Sequence, residues 1–94
     1  MSVVTLDIEA LEQAANSLSS YIEDIQVNIK IMKEAALDCV DNMESDAFSK
    51  TAIAQLEKCI AKLLYNLADA EDLKQKILVK KIEIEKSING FNRK

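Results

Sequence analysis

The sequence contains no histidine, no proline and no tryptophan, and it has a single glycine among 94 residues. Without histidine, the chain lacks the commonest general base and the commonest metal ligand. It also has no glycine-rich phosphate loop and no Cys-x-x-Cys pair. The two cysteines, Cys39 and Cys59, have no histidine to activate them. We therefore expect a protein that is not an enzyme and that binds no metal or cofactor.

Long hydrophobic runs and an excess of positive charge are missing as well. No apolar run approaches the ~20 residues that a membrane-spanning helix needs, so we expect no membrane insertion. Residues 1–10 are acidic and contain no continuous apolar core, which predicts no classical secretory leader. A net charge of −4 argues against a general nucleic-acid binder, because phosphate affinity depends on lysine and arginine.

The residues that are present are those of long helices. Hydrophobic residues make up 49% of the chain and charged residues 30%, while aromatic residues make up only 4%. The apolar content is therefore aliphatic, and turn-forming residues are nearly absent. This composition predicts an all-α protein.

Apolar residues recur at alternating intervals of three and four, which is the heptad pattern of a packed helical seam. In the first half these positions are Ile8, Leu11, Ala15, Leu18, Ile22, Ile25, Ile29, Met32, Ala36, Cys39 and Met43. In the second half they are Ile53, Leu56, Ile60, Leu63, Leu67, Ala70, Lys74, Ile77, Lys81, Ile84, Ile88 and Phe91. The pattern predicts helices over about residues 5–41 and 46–89, with a turn at about 42–45 and a short tail.

The ends of these helices have recognisable residues. Thr5 or Asp7 suits the start of the first helix, and Ser45 or Asp46 suits the cap of the second. Gly90 suits the end of the second helix, where glycine commonly adopts a left-handed conformation.

An antiparallel hairpin is the arrangement that these two helices favour. The alternative is one unbroken helix, since no glycine or proline forces a break near residue 43. Residues 74–94 carry a net charge of +5 and residues 1–73 a net charge of −9, so folding near residue 44 sets opposite charges side by side. In that fold Lys81 lies beside Asp7 and Lys74 lies over Ala14 and Ala15. The basic end then lies along Asp7, Glu9 and Glu12. The basic end either matches the acidic start of the first helix in this way or docks on an acidic partner or membrane.

The same register separates the cysteines by about ten residues, or about 15 Å along the helices. This distance is too long for a disulfide. We therefore expect both cysteines to be small buried hydrophobic residues.

Apolar side chains outside the seam predict a partner interface, because contiguous exposed apolar surface usually marks a docking site. The candidates are Val27, Ile31, Leu37, Val40, Leu64, Leu78, Val79 and Ile82. A second hairpin would cover them in a four-helix bundle. We expect a homodimer or a heterodimer with a related helical hairpin.

The turn region resembles that of the WXG-motif family, which are helical hairpins exported by type VII secretion systems. In that family a Trp-x-Gly in the turn is followed by an acid, a small residue and an aromatic. Here the matching positions are Met43, Ser45, Asp46, Ala47 and Phe48, with Met43 and Ser45 in place of the tryptophan and glycine. The resemblance covers nearly the whole chain in length, heptad layout and hinge position.

The family also carries an export signal, an aromatic residue followed four positions later by an acid. Tyr65 and Asp69 have this spacing on the second helix, so a receptor could read both from one face. A half-buried tyrosine beside an exposed acid is the simpler interpretation. The resemblance further includes small helical partners that pair with the N-terminal helical (LXG) domain of type VII toxins.

The resemblance implies a protein that acts by binding. It would be cytoplasmic before export, would leave the cell by the non-classical type VII route, and would meet the secretion ATPase. Two alternatives remain open, a structural homodimeric coiled coil and a chaperone or adaptor for another secretion system.

Overall fold

The computed structural model describes residues 3–42 and 47–92, which form two α-helices. Helix α1 spans Val3–Asn42 and helix α2 spans Ala47–Asn92. The two helices pack against each other, which confirms the predicted all-α helical hairpin. The rest of the predicted turn, residues 43–45, and the capping candidate Asp46 lie outside the described residues.

The molecule is a rod of 73 × 17 × 16 Å. Its length follows from α2, since 46 residues at about 1.5 Å each span about 69 Å. The radius of gyration is 21.0 Å, whereas a compact domain of this length has about 12 Å. A rod two helices wide has a seam but no enclosed centre.

The seam is thin, and its best-buried residues are small or aliphatic. Among the described residues, the buried hydrophobic ones are Ala15, Ile25, Ile29 and Ala70, and all four occupy predicted seam positions. No described large side chain is fully enclosed. The remaining described seam positions are half-buried, because each packs against one neighbouring helix and has solvent on both sides.

The register of the two helices differs from the prediction. Lys81 Nζ lies 3.0 Å from Glu12 Oε1, so Lys81 is beside Glu12 and not beside Asp7. Lys74 lines a groove with Ile22 and does not lie over Ala14 and Ala15. Each residue of α2 therefore lies beside a residue of α1 about five positions later in the chain than a fold at residue 44 would give.

The observed ends of the helices also differ from the predicted ones. Helix α1 already includes Val3 and Val4, so neither Thr5 nor Asp7 begins it. Helix α2 continues through Gly90 to Asn92, and no described glycine has a positive φ. Gly90 was therefore the wrong choice for the helix end, because a left-handed terminus requires a positive φ.

Cys39 and Cys59 are both free thiols. Cys39 is half-buried, but Cys59 is exposed, so the expectation that both are buried was wrong for Cys59. In the observed register the two differ in height by about five residues, or about 7.5 Å, rather than the predicted ten.

Candidate partner-binding surface

Large apolar side chains lie outside the seam along the whole rod. Those that are about half exposed or more are Val3, Leu6, Tyr21, Val27, Ile31, Leu37, Val40, Phe48, Leu64, Tyr65, Leu73, Val79 and Ile82. Seven of the eight predicted interface residues are in this set, and the eighth, Leu78, is half-buried. Whether these side chains contact a partner stays a prediction.

The total surface of the chain is large for its mass. The hairpin exposes 7229 Å², whereas a compact protein of 10.5 kDa exposes about 5,400 Å². The excess is about 1,800 Å² per chain, against about 800 Å² that each partner contributes to a standard protein interface. The hairpin therefore has ample surface for a docked partner.

One side of the rod, which we call face A, carries Lys33, Leu37, Val40, Leu64, Leu78 and Ile82. These residues sit at the flanking heptad positions that meet on one side of an antiparallel helix pair. Near the turn, Lys33, Leu37 and Val40 of α1 line a shallow groove of about 380 Å³ together with Glu57 of α2. Ala68, Glu71 and Gln75 line a second groove of about 560 Å³ further along face A.

The opposite side, face B, carries Val3, Tyr21, Ile31, Cys59 and Leu73. Tyr21 and Leu73 line a groove of about 220 Å³ with Asn66 and Asp69. Towards the open end, Asp7 and Ala10 of α1 line another groove with Lys80 of α2.

The apolar side chains are distributed unevenly between the two faces. On face A they belong mainly to α2, and on face B they belong mainly to α1. The hairpin thus has two separate apolar surfaces that a single two-fold-related partner cannot both cover.

An ion cluster joins the helices at the open end of face A. Lys81 Nζ lies 3.0 Å from Glu12 Oε1 and 3.6 Å from Glu85 Oε1, and its side chain is only 25% exposed. The hydrogen bond to Glu12, together with the charges of Glu12 and Glu85, raises the pKa of Lys81 above its ordinary value although burial opposes this. The cluster explains how Lys81 can occupy a seam position. Its aliphatic stem packs against α1, while Glu12 and Glu85 neutralise its charge.

A second ion pair lies entirely on α2. Lys76 Nζ is 2.9 Å from Asp72 Oδ2, one helical turn earlier, and the hydrogen bond to Asp72 raises the pKa of Lys76. Both side chains are well exposed, so this pair adds little to stability.

The export-signal candidates, Tyr65 and Asp69, lie on the continuous helix α2 one turn apart. Tyr65 is 76% exposed and Asp69 is exposed as well. The tyrosine is thus more accessible than the half-buried side chain that the simpler interpretation assumed.

The turn motif is only partly described. Met43, Ser45 and Asp46 lie outside the described residues. Phe48 is in the first turn of α2 and is 71% exposed, so its ring does not pack into the hairpin.

Several exposed apolar residues were missed by the sequence reasoning. Val3, Leu6, Tyr21, Phe48 and Leu73 are as exposed as the residues that were chosen. The heptad pattern could have identified them, since each occupies a position outside the seam.

Comparisons of the chain with protein-family models, with curated proteins and with solved structures found no match. In the described parts of the chain, neither helix has a stretch long and apolar enough to cross a membrane. Residues 3–42 and 47–92 also contain no cluster of three or more potential metal ligands.

Proposed function

We propose that this protein acts by binding, with the apolar surface outside the seam docking another helical chain. The observation that carries the proposal is the row of exposed aliphatic side chains on face A, including Leu64 at 47% and Ile82 at 50% exposure. Exposed apolar patches of this kind usually mark interfaces. The excess surface of the extended hairpin agrees with this interpretation.

A narrower proposal is that docking serves export through a type VII secretion system, with a related hairpin or an LXG-type toxin domain as the partner. Its support is the resemblance in length, hairpin architecture and hinge position. The exposure of Tyr65 and Asp69 on one face of α2 adds to that support, because a receptor needs access to both.

The docking proposal is tested with a tagged chain expressed in its native host. The double variant Leu64→Asp/Ile82→Asp places charges on face A without touching the buried seam. The matched control, Gln13→Asp/Ser20→Asp, adds the same charges to the exposed outer side of α1. Circular dichroism of each purified chain checks that the helices are intact.

We expect the wild type and the control to elute as a complex of one discrete mass, and the face A variant to elute as the lone hairpin. The mass distinguishes a second copy from a different chain. A wild-type chain that elutes alone, or a face A variant that retains its partner, would contradict the proposal.

The export proposal is tested by Tyr65→Ala/Asp69→Ala. We expect this variant to fold and to retain its partner, while secretion of the pair is lost. Glu83→Ala/Ser87→Ala, one turn apart on the same helix, serves as the control. Normal export of the Tyr65 and Asp69 variant would contradict the proposal that these two residues form an export signal.

A further inference from the structure

We propose that this chain exchanges helices with a second copy of itself when it is concentrated. In the exchanged dimer, α1 and α2 of each copy join into one continuous helix, and α1 of one copy packs on α2 of the other. The inference does not depend on the docking proposal. It follows from the two helix ends that meet at the turn.

The helix ends beside the turn carry charges of the unfavourable sign. The last turn of α1 contains no basic residue and carries Asp41, while the first turn of α2 contains no acidic residue and carries Lys50. A helix C-terminus is partially negative and an N-terminus partially positive, so both charges oppose the helix dipole. Joining the helices removes both ends. Lys50 then follows Asp46 by four residues, which is the spacing and order of a favourable ion pair on a helix.

Joining the helices also satisfies backbone groups at the turn. The last four carbonyls of α1 and the first four N–H groups of α2 have no partner within their own helix. In a continuous helix, the N–H groups of residues 43–46 donate to the carbonyls of residues 39–42, and those of residues 47–50 donate to the carbonyls of 43–46. The sequence of residues 43–46 is Met-Glu-Ser-Asp, which contains no glycine or proline to prevent this.

The exchanged dimer retains the contacts of the hairpin. Each seam contact joins α1 to α2, so a two-fold axis at the turn forms it again between copies, as in other domain-swapped dimers. The ion pair of Lys81 with Glu12 then forms twice, each time between copies. Met43 and Ile53 are ten residues apart, which steps of three, four and three fill, so the seam stays on one side of the joined helix. The next step, to Leu56, is again three, which overwinds the helix locally.

Chain concentration decides between the two states. A short turn gives α2 an effective concentration of about a millimolar beside its own α1, so a dilute chain is a hairpin. The seam that must open is thin, and no described large side chain is fully enclosed in it. The gains at the turn therefore let the dimer compete as the chain is concentrated. Because the seam contacts are the same, the dimer presents face A twice on one rod.

Carbodiimide cross-linking of Lys81 to Glu12 tests the inference, because this reagent joins an amine to a carboxylate in direct contact. Unlabelled and ¹⁵N-labelled chains are mixed in equal amounts, unfolded together in urea, refolded, and cross-linked at two concentrations a hundredfold apart. Mass spectrometry then counts the linked peptides that combine a light and a heavy half. The link from Lys81 to Glu85, 3.6 Å away on the same helix, stays within one chain in either state and is the internal control.

We expect mixed links between Lys81 and Glu12 to be near background in the dilute sample. In the concentrated sample they should approach about half of all such links, the share that random pairing of equal amounts gives. Small-angle X-ray scattering of the concentrated sample should show a rod of about 135 Å, against 73 Å for the hairpin.

The charges beside the turn supply the matched variants. Asp41→Lys/Lys50→Glu gives each helix end a favourable charge without changing the net charge, so we expect mixed links to fall at least about fivefold. Asp24→Lys/Lys62→Glu makes the same changes at exposed sites inside the helices and should leave the mixed links unchanged. Circular dichroism checks that both variants remain helical.

Mixed links that never exceed background would overturn the inference. A dimer whose links between Lys81 and Glu12 all stay within one chain would also overturn it, because that dimer would be docked and not exchanged. Undiminished mixed links in the Asp41 and Lys50 variant would contradict it too, since the helix ends would then have no part in the exchange. None of these results counts against docking on face A, which has its own test.

Discussion

Two isoleucines of α1 provide a direct test of what holds the hairpin together. Ile25 is 3% exposed in the seam, whereas Ile31 is 55% exposed on face B. Ile→Ala at either site changes helix propensity in the same way, so that contribution cancels in the comparison. The difference in the free energy of unfolding between the two variants therefore depends on how deeply each isoleucine is buried.

The expected losses follow from the burial of each side chain. Ile→Ala removes three carbon groups, each worth about 0.8 kcal/mol when fully buried. At Ile25 this gives about 2.4 kcal/mol, and the remaining cavity brings the loss to about 3 kcal/mol. At Ile31 less than half of the side chain is buried and no enclosed cavity is left, so the loss is about 1 kcal/mol.

The assay is urea unfolding followed by circular dichroism at 222 nm, carried out at two protein concentrations tenfold apart. We expect the free energy of unfolding to fall by about 2 kcal/mol more for Ile25→Ala than for Ile31→Ala. Equal losses at the lower concentration would refute the assignment of Ile25 to the seam and of Ile31 to the surface.

Three further outcomes are expected. Lys81→Met should lower stability at neutral pH. Because the folded pKa of Lys81 is raised, the wild-type advantage should persist below about pH 10.4 and decline as the pH rises through the folded value; an advantage that declines below about pH 10.4 would contradict this. Gly90→Ala should stabilise the hairpin by up to about 1 kcal/mol, because α2 is helical there; a destabilised variant would indicate a left-handed glycine. Cys59 should react with a thiol reagent faster than Cys39, because Cys59 is exposed. The same order should hold when a partner is bound on face A, because Cys59 lies on face B; protection of Cys59 by the partner would instead place the docking site on face B.

The seam was predictable because its pattern is strictly periodic. Ile25 and Ile29 are buried where the alternation of three and four residues puts them, and Ala70 is buried at a predicted seam position of α2. A long amphipathic helix has few ways to bury such a stripe, so the fold class follows from the spacing alone.

The register was not predictable from the same pattern. The observed pairing differs by about five residues from that of a fold at residue 44, and no glycine or proline fixes the fold point between Asn42 and Ala47. The sequence predicts that the basic end lies along Asp7, Glu9 and Glu12, but the specific pairing of Lys81 with Glu12 comes from the structure.

The division of exposed apolar residues between two faces was also missed. Val27 and Ile31 were grouped with Leu37 and Val40 as one candidate interface, because heptad spacing shows which residues leave the seam. The side to which a residue turns follows from which flanking heptad position it occupies. The grooves agree with that division, with Leu37 and Val40 in one and Tyr21 and Leu73 in another.

The most direct measurement of whether another molecule covers face A is site-specific photo-cross-linking in the native host. A photoreactive residue replaces Ile82 or Leu64 in one set of cells and Asp24, on face B of α1, in another. We expect adducts of one discrete mass from positions 82 and 64, and none above background from position 24. Adducts that are absent from 82 and 64, or equally abundant at all three positions, would contradict the docking of a partner on this face.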